Sequence, residues 1–317
     1  MGRLVDGQWQ DDDFVNKQGS GAFDRAPSAI RDWVRADGST AFGPQAGRYH
    51  LYLSWACPWA HRTLILRALK GLESAIGVSF VDALMGPKGW SFSTPPGHQP
   101  KGLPSPRFLH QLYQYHDAHY NGRVTVPLLW DCQTDRAVNN ESSEIIIMLD
   151  QEFQQIAQDP TEYYPAALRP QIDELNAWIY EEVNNGVYRC GFAGTQGAYE
   201  EAFAQLFVAL DRLEGILGTN RYLTGDRLTL ADWRLFTTLI RFDAVYVGHF
   251  KCNLRRIADY PNLQGYLKEL YQMPQVRPTV DFAQIKTHYY ASHKSLNPQG
   301  IIPIGPWLDL EGPHMRG

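Results

Sequence analysis

Cys57 is the residue of this sequence best placed to act as a nucleophile. It stands in the run Ser54-Trp55-Ala56-Cys57-Pro58-Trp59-Ala60-His61-Arg62, between a segment with strand-like alternation and one with helical spacing. Proline at the first helical position loses no hydrogen bond, so Pro58 predicts a helix start with Cys57 as its cap. The helix dipole, with His61 and Arg62 one turn away, lowers the pKa of such a thiol. We therefore interpret Cys57 as a reactive thiolate rather than as a small buried core residue, which is the alternative.

A second thiol is missing beside Cys57. Ala60 stands where a C-x-x-C oxidoreductase carries its second cysteine, so an intermediate on Cys57 has no neighbouring thiol to resolve it. Cys132, Cys190 and Cys252 are far apart in the sequence and form no C-x-x-C or Cys/His ligand spacing. The pattern predicts a reduced protein without a structural metal, whose resolving thiol comes most simply from a bound small molecule.

Length and composition limit the classes of function. With 317 residues, 44% of them hydrophobic and 20% charged, the chain is long enough for about two globular domains. A net charge of −5 gives no reason to expect nucleic acid or an anionic membrane as a partner. No apolar run reaches membrane-spanning length, and residues 1–10 lack the apolar core of a signal peptide. We therefore expect a cytoplasmic protein that binds neither nucleic acid nor a membrane.

The elements around Cys57 are predicted to form a βαβ unit. Alternating residues in 48–53 predict a half-buried strand, and 76–81 predict a second strand after the helix that begins at Pro58. A strand, a crossover helix and a second strand imply parallel pairing. Residues 1–46 are interpreted as an extension over a domain surface. Residues 85–121 break every periodicity and are interpreted as a long functional loop with solvated histidines at His110, His116 and His119.

Two further stretches could bind a peptide-like ligand. Pro127 follows Val126 within a predicted strand over 123–130 and is a candidate for a cis bond, which would turn the backbone of Val126 toward an extended ligand. Ser142 lies at a predicted helix start, where free N–H groups bind carboxylates, and the neighbouring Glu141 could hold an ammonium. The alternative is plain capping by Asn140 and the serines.

The second half of the chain predicts helices and no strands. Helical spacing recurs in 170–183, closed by Asn184-Asn185-Gly186, and in 199–217. Thr229 and Asp232 predict a capping box at the start of the next helix. Further helices are predicted at 262–272 and 276–290, followed by a loop-like tail from Lys294.

These features together resemble the glutathione transferases, and the resemblance covers nearly the whole chain. Its details are most similar to the glutathionyl-hydroquinone reductases, the Xi class. The runs that carry it are Cys57-Pro58-Trp59-Ala60-His61-Arg62, Gly89-Trp90, Val126-Pro127, Asn139-Asn140-Glu141-Ser142-Ser143-Glu144-Ile145-Ile146 and Asn184-Asn185-Gly186-Val187-Tyr188.

The resemblance implies a fold of class α/β plus all-α. A thioredoxin-like N-terminal domain that binds glutathione (47–155) would be followed by an all-helical glutathione-transferase C-terminal domain (165–290). An N-terminal extension (1–46) and a C-terminal tail (291–317) would flank them, and the resemblance also implies a homodimer.

The resemblance also implies a reaction and its residues. Cys57 would attack the sulfur of a glutathionyl-hydroquinone, and a second glutathione would release glutathione disulfide, without metal, flavin or nicotinamide. Glutathione would be held by Trp90, Arg123, the backbone of Val126, Glu141 and Ser142. The hydroquinone would be met by Tyr188, Tyr246 and Tyr289, with Tyr290 as an alternative to Tyr289.

Two other functions compete with this one. The first is thiol transfer or dehydroascorbate reduction in the manner of the Omega class, against which Trp90, the long loop and the tyrosines argue. The second is a non-catalytic binding module of the same fold, against which the presence of Cys57 and Arg123 argues.

Overall fold

The computed structural model describes residues 2–11 and 19–316, and they form two compact units. The first comprises the described residues within Met1–Phe14 and Ala26–Thr161, and the second those within Val15–Arg25 and Glu162–Gly317. The predicted N-terminal extension is therefore divided between the two units. The predicted boundaries at 47–155 and 165–290 stay predictions. Within the described residues, no helix combines the length and the apolar character that crossing a bilayer requires.

The first unit is built on a four-stranded mixed sheet of order β4-β3-β6-β7. Strands β3 and β4 are parallel and flank helix α1, so the predicted βαβ unit is confirmed, while β6 runs antiparallel to both of its neighbours. The elements of this unit are β1 (Arg3–Val5), β2 (Gln8–Gln10), β3 (Tyr49–Leu53), α1 (Pro58–Leu69), β4 (Ile76–Phe80), α2 (Leu109–His116), β5 (Gly122–Arg123), β6 (Leu128–Asp131), β7 (Arg136–Asn139) and α3 (Ser142–Gln151).

Strand β3 is buried along its whole length, so the prediction of a half-buried strand is wrong. On one face Tyr49 packs edge-on against Phe153. On the other face Tyr52 packs against Phe92, which belongs to the long loop, and against Trp130 of β6. Because the loop covers the second face of the sheet, alternate side chains that would otherwise meet water are enclosed.

The N-terminal residues form a hairpin that the sequence analysis missed. β1 and β2 pair across Asp6 and Gly7, whose φ angles are 47° and 69°. Two positive φ angles at the centre of a two-residue loop are typical of a type I′ turn, for which Asp-Gly is a strong sequence signal. β1 also pairs with β5, so the strand predicted over 123–130 is interrupted before β6.

Helix α2 lies within the segment that was predicted to be a continuous loop. Leu109, Leu112 and Tyr113 are its buried residues, at the i, i+3 and i+4 spacing of one helix face. The interpretation of all three histidines as solvated is wrong for two of them: His110 and His116 are half-buried on this helix, and burial lowers the pKa of both. In the described part of the chain, no group of three or more His, Cys, Asp or Glu residues could hold a metal ion.

The second unit is helical and has no strand among its described residues, which confirms the predicted all-helical half. Buried Asp232 accepts hydrogen bonds from the N–H and the hydroxyl of Thr229, so the predicted capping box is present. The α-helices are α4 (Arg169–Ile179), α5 (Gly186–Gly191), α6 (Gln196–Thr219), α7 (Leu230–Arg241), α8 (Val247–His249), α9 (Pro261–Tyr271) and α10 (Phe282–Lys286).

The helix stop predicted at Asn184-Asn185-Gly186 is wrong. A π-helical turn over Tyr180–Asn184 follows α4, and the N–H of Asn185 donates to the carbonyl of Tyr180 over 2.8 Å. The wider turn absorbs the extra residue, so the chain continues as α5 without leaving the helical path. Among the described residues of this unit, two more segments are π-helical, Phe242–Tyr246 and Thr287–Ser292.

Candidate active site

Cys57 is the N-cap residue of α1, as predicted, with extended backbone angles (φ −76°, ψ 120°) and Pro58 at the first helical position. Its thiol is partly exposed, and Sγ donates to the carbonyl oxygen of Val126 over 3.5 Å. The Val126–Pro127 bond is cis, which confirms that prediction. The start of α1 and the loop before β6 therefore bring together two of the predicted site residues.

Arg62 is buried and extends toward α3. Its guanidinium carbon lies 4.5 Å from the ring centre of Trp59, and Nη1 donates to Oγ of Ser142 over 3.4 Å. From the sequence alone, Arg62 is expected only to place a positive charge near Cys57. The structure adds a contact with a residue predicted to bind glutathione.

Glu141 is the N-cap residue of α3, so the alternative in which Asn140 caps this helix is wrong. One carboxylate oxygen of Glu141 accepts from the N–H of Ser143 over 3.0 Å and from its hydroxyl over 2.8 Å. The other oxygen accepts from the hydroxyl of Ser28 over 3.0 Å. Burial raises the pKa of Glu141, but the hydrogen bonds from Ser143 and Ser28 and the charge of Arg62 outweigh it, and the pKa is lowered.

Asn140 instead attaches the N-terminal segment, the part of the chain that contains Ser28 and Ile30, to the rest of the first unit. Its side-chain oxygen accepts from the N–H of Ile30 over 3.1 Å, and its amide nitrogen donates to the hydroxyl of Tyr113 over 3.1 Å. The sequence could not separate these roles, because Asn, Glu and Ser all cap helices.

Trp90 and Arg123 lie in the same unit. Trp90 is buried, and its carbonyl accepts from the N–H of Leu109 at the start of α2 over 2.9 Å. Arg123 is half-buried in β5, and its carbonyl accepts from the hydroxyl of Tyr120 over 3.3 Å. Their predicted contacts with glutathione stay predictions.

The three predicted tyrosines of the second unit meet at their hydroxyls. The oxygens of Tyr188 and Tyr289 are 2.6 Å apart, and those of Tyr246 and Tyr289 are 3.1 Å apart. We call Tyr188, Tyr246 and Tyr289 the tyrosine cluster. The hydroxyl of Tyr290 points elsewhere and donates to the carbonyl of Ala244 over 3.4 Å. Each member of the cluster lies in or shortly after a π-helical segment, a feature frequent at functional sites.

Burial controls the acidity of Tyr246 and Tyr289 in the tyrosine cluster. It raises the pKa of Tyr246 and Tyr289 well above the ordinary value for a phenol, and the phenol of Tyr188 adds to the effect at both. The nearby charge of Arg241 acts in the opposite direction. At neutral pH these hydroxyls therefore stay protonated and can donate hydrogen bonds or a proton.

Two residues beside Tyr188 were not found from the sequence. The ring of Phe23 stacks on Tyr188 with centres 6.3 Å apart, and the guanidinium carbon of Arg25 lies 4.8 Å from the Tyr188 ring centre. Arg25 also donates from Nε to the side-chain oxygen of Asn185 over 3.1 Å. Both residues lie in an aperiodic stretch, where no pattern indicates a contact at least 160 positions away along the chain.

Comparison with known families gives two matches. Residues 56–152 match the family described as glutathione S-transferase, N-terminal domain, and residues 196–269 match glutathione S-transferase, C-terminal domain.

Individual relatives match over nearly the whole chain. Glutathionyl-hydroquinone reductase YqjG of Escherichia coli (strain K12) is 54% identical over 323 residues, covering 100% of this chain and 98% of its own length. A glutathione-bound structure of YqjG has a TM-score of 0.89 at 52% identity and covers 99% of both chains. Glutathionyl-hydroquinone reductase PcpF of Sphingobium chlorophenolicum is 52% identical, covering 98% of each chain. The solved Xi class transferase of Natrialba magadii has a TM-score of 0.91 at 45% identity, covering 100% of this chain and 97% of its own.

Proposed function

This chain belongs to the glutathione S-transferase family, among the glutathionyl-hydroquinone reductases of the Xi class, and we propose that it reduces glutathionyl-hydroquinones through Cys57. Glutathione is the co-substrate, and the reduced product is the free hydroquinone. The observation that carries the proposal is the placement of a single thiol, without a C-x-x-C partner, at the start of α1 and beside Val126.

In the first step the Cys57 thiolate attacks the sulfur of the glutathionyl-hydroquinone. A sulfur–sulfur bond forms and the carbon–sulfur bond breaks, so the sulfur is oxidised while its electron pair goes to the ring carbon. The ring carbon takes up a proton, and the hydroquinone leaves. The tyrosine cluster supports this step by donating hydrogen bonds to the ring oxygens and by supplying the proton.

In the second step a glutathione thiolate attacks the mixed disulfide that Cys57 carries. This exchange forms glutathione disulfide and returns Cys57 as a thiolate. Both electrons of the overall reduction come from the two glutathione sulfurs, the thioether sulfur of the conjugate and the thiol of free glutathione, so the proposal requires no metal, flavin or nicotinamide.

Glutathione recognition is assigned to residues of the first unit. The N–H and the hydroxyl of Ser142, at the start of α3, receive the γ-glutamyl carboxylate, and Glu141 receives the ammonium. Val126 offers its backbone to the peptide portion, and Trp90 and Arg123 complete the binding site. The lowered pKa of Glu141 supports this assignment, because a carboxylate is the form that binds an ammonium.

The first test is a single turnover with a glutathionyl-hydroquinone and no free glutathione. We expect one equivalent of hydroquinone and one glutathionyl group on Cys57, detected by mass spectrometry, and neither with Cys57→Ala. Cys132→Ala is the matched control, because burial raises the pKa of Cys132 to about 11 and makes it a poor nucleophile. Hydroquinone release by Cys57→Ala would contradict the proposal.

Parallel assays separate the competing functions. A dehydroascorbate reductase of the Omega type would turn over dehydroascorbate faster than the glutathionyl-hydroquinone, and a binding module would turn over neither. We also propose a cytoplasmic homodimer, and light scattering of the full chain at assay concentration would show its mass.

A further inference from the structure

Two polar residues from separate segments surround the proposed γ-glutamyl site. Arg62 of α1 is 1% exposed and donates to the hydroxyl of Ser142. Ser28 of the N-terminal segment donates to Glu141 and also, over 3.2 Å, to the carbonyl of Asn140. Burying a guanidinium costs free energy unless other groups compensate its charge. The buried position of Arg62 between α1 and α3 therefore depends on the groups that it contacts there.

The carboxylate of Glu141 is held in place by three segments of the chain. Ser143 of α3 holds one oxygen, Ser28 holds the other, and the charge of Arg62 acts from α1. Among the described residues, Arg31 also acts on Glu141 through its charge, and Arg31 forms an ion pair with Glu144. Arg31 is paired with Glu144, whereas Arg62 acts on Glu141 through its charge and also donates to the hydroxyl of Ser142.

We propose that Arg62 and Ser28 are positioning residues for glutathione, which hold Ser142 and the Glu141 carboxylate in the arrangement that receives the γ-glutamyl end. The inference rests on the proposed function, in which these two residues bind that end of the substrate. It also gives the N-terminal segment a role, because Ser28 and the Asn140–Ile30 hydrogen bonds attach this segment to the start of α3.

This role differs from an effect of Arg62 on Cys57. If Arg62 acts by making Cys57 more acidic, its loss slows attack on every thioether substrate equally. If it acts through Ser142 and Glu141, its loss affects only substrates that carry a γ-glutamyl group. A glutathionyl-hydroquinone and the corresponding cysteinylglycine conjugate, which lacks that group, distinguish the two.

The experiment measures kcat/KM for hydroquinone release from both conjugates with the full-length protein. For Arg62→Gln we expect kcat/KM for the glutathionyl conjugate to fall by about 10-fold or more, the range for losing a charged hydrogen bond. For the cysteinylglycine conjugate we expect kcat/KM to fall by less than about 3-fold, because no γ-glutamyl contact is lost. Arg62→Lys keeps the charge without the planar guanidinium and should restore part of the loss. Ser28→Ala should show the same selectivity with a smaller effect, because it removes only a hydroxyl at a half-buried position.

Arg67→Gln is the matched control on α1. Arg67 is a half-buried arginine that donates to the backbone carbonyls of Ile76 and Glu73, so its loss disturbs the helix without touching Glu141 or Ser142. Its effect should be the same for both conjugates.

The second readout is the pH dependence of glutathione binding, titrated calorimetrically in a Cys57→Ala background. Affinity needs the ionised form of Glu141 and falls as the pH drops through its pKa. Without Arg62 that pKa rises, so the acid limb should move to higher pH.

Two results would overturn the positioning role. One is an equal loss of kcat/KM with both conjugates in Arg62→Gln, and the other is an unchanged pH dependence of glutathione affinity on the acid side. If the wild-type protein releases no hydroquinone from the glutathionyl conjugate, the proposed function itself fails. The two failures are therefore distinguishable.

Discussion

Glu141 is both the cap of α3 and the proposed ligand of the glutathione ammonium. Glu141→Gln keeps a side-chain acceptor for the N–H of Ser143 and removes the charge. We expect glutathione affinity to fall by about 1.5–3 kcal/mol, the range for a hydrogen bond to a charged group, as measured by isothermal titration. Glu152→Gln, at the other end of α3, is the control. Wild-type affinity in Glu141→Gln would reduce Glu141 to a helix cap.

Tyr188 is the least buried member of the tyrosine cluster, at 9% exposed. Tyr188→Phe keeps the packing against Phe23 and Phe192 and removes the hydroxyl that meets Tyr289. We expect the rate of hydroquinone release to fall by roughly 10²-fold, the low end for a positioned acid. The unfolding free energy should fall by only about 1 kcal/mol, the net contribution of one hydrogen bond.

Tyr290→Phe is the matched control, since its hydroxyl bonds to Ala244 outside the cluster. Stopped-flow single-turnover rates on both variants give the comparison. An unchanged rate in Tyr188→Phe would assign the proton to Tyr246 or Tyr289.

The C-terminal tail lacks helix and strand from His293 to Arg316, as predicted, yet polar contacts attach it to the helices. Arg316 pairs with Glu269 of α9, and both side chains are almost buried. It also donates to the carbonyls of Leu217 and Asn220 at the end of α6. One side chain therefore links the tail to two helices of the second unit.

We expect Arg316→Ala to lower the unfolding free energy by about 2–3 kcal/mol, because it breaks several charge-assisted hydrogen bonds in a shielded place. Arg277→Ala breaks another tail contact, the pair with Glu311, in which both side chains are more than half exposed. Exposed pairs contribute about 1 kcal/mol or less. Urea unfolding of both variants checks the difference, and equal losses would contradict it.

Each of the two units encloses a histidine that stays neutral when folded. Burial lowers the pKa of His50 in the first unit to about 3, with the charge of His98 as a smaller cause. Burial likewise lowers the pKa of His249 in the second unit to about 4, assisted by Lys251. His50 bonds to the hydroxyl of Ser79, and His249 bonds to His293.

Below about pH 6.5 these histidines should destabilise the whole molecule. In that pH range the two histidines bind protons in the unfolded chain but not in the folded chain. The free energy of unfolding therefore falls as the pH drops from about 6.5 toward the folded pKa values. The lowered pKa of His249 corresponds to a loss on the order of 3 kcal/mol by about pH 4.

Denaturant unfolding between pH 7 and pH 4 measures this loss. His249→Gln should reduce the fall in unfolding free energy between pH 7 and pH 4 by the contribution of His249, whatever its effect on stability at pH 7. An identical slope in the variant would show that His249 is protonated in the folded state.

Some elements of this protein can be predicted from its sequence because they depend on residues that are close together along the chain. Pro58 cannot donate a hydrogen bond, which places Cys57 at the start of α1, and Thr229 with Asp232 specifies a cap within four residues. The helical half follows from the spacing of apolar residues. The Asp6-Gly7 turn and the spacing of Leu109, Leu112 and Tyr113 are also local signals, of a hairpin and of a helix.

Other features depend on contacts between residues far apart in the sequence. Both faces of β3 are buried because a remote loop covers one of them, and a π-helical turn lets the chain pass Asn184-Asn185-Gly186 without stopping. The meeting of Tyr188, Tyr246 and Tyr289 at their hydroxyls, and the reach of Arg62 to Ser142, are products of packing. Sequence patterns specify which face of an element is apolar, but the partner on that face is selected only when the whole unit packs.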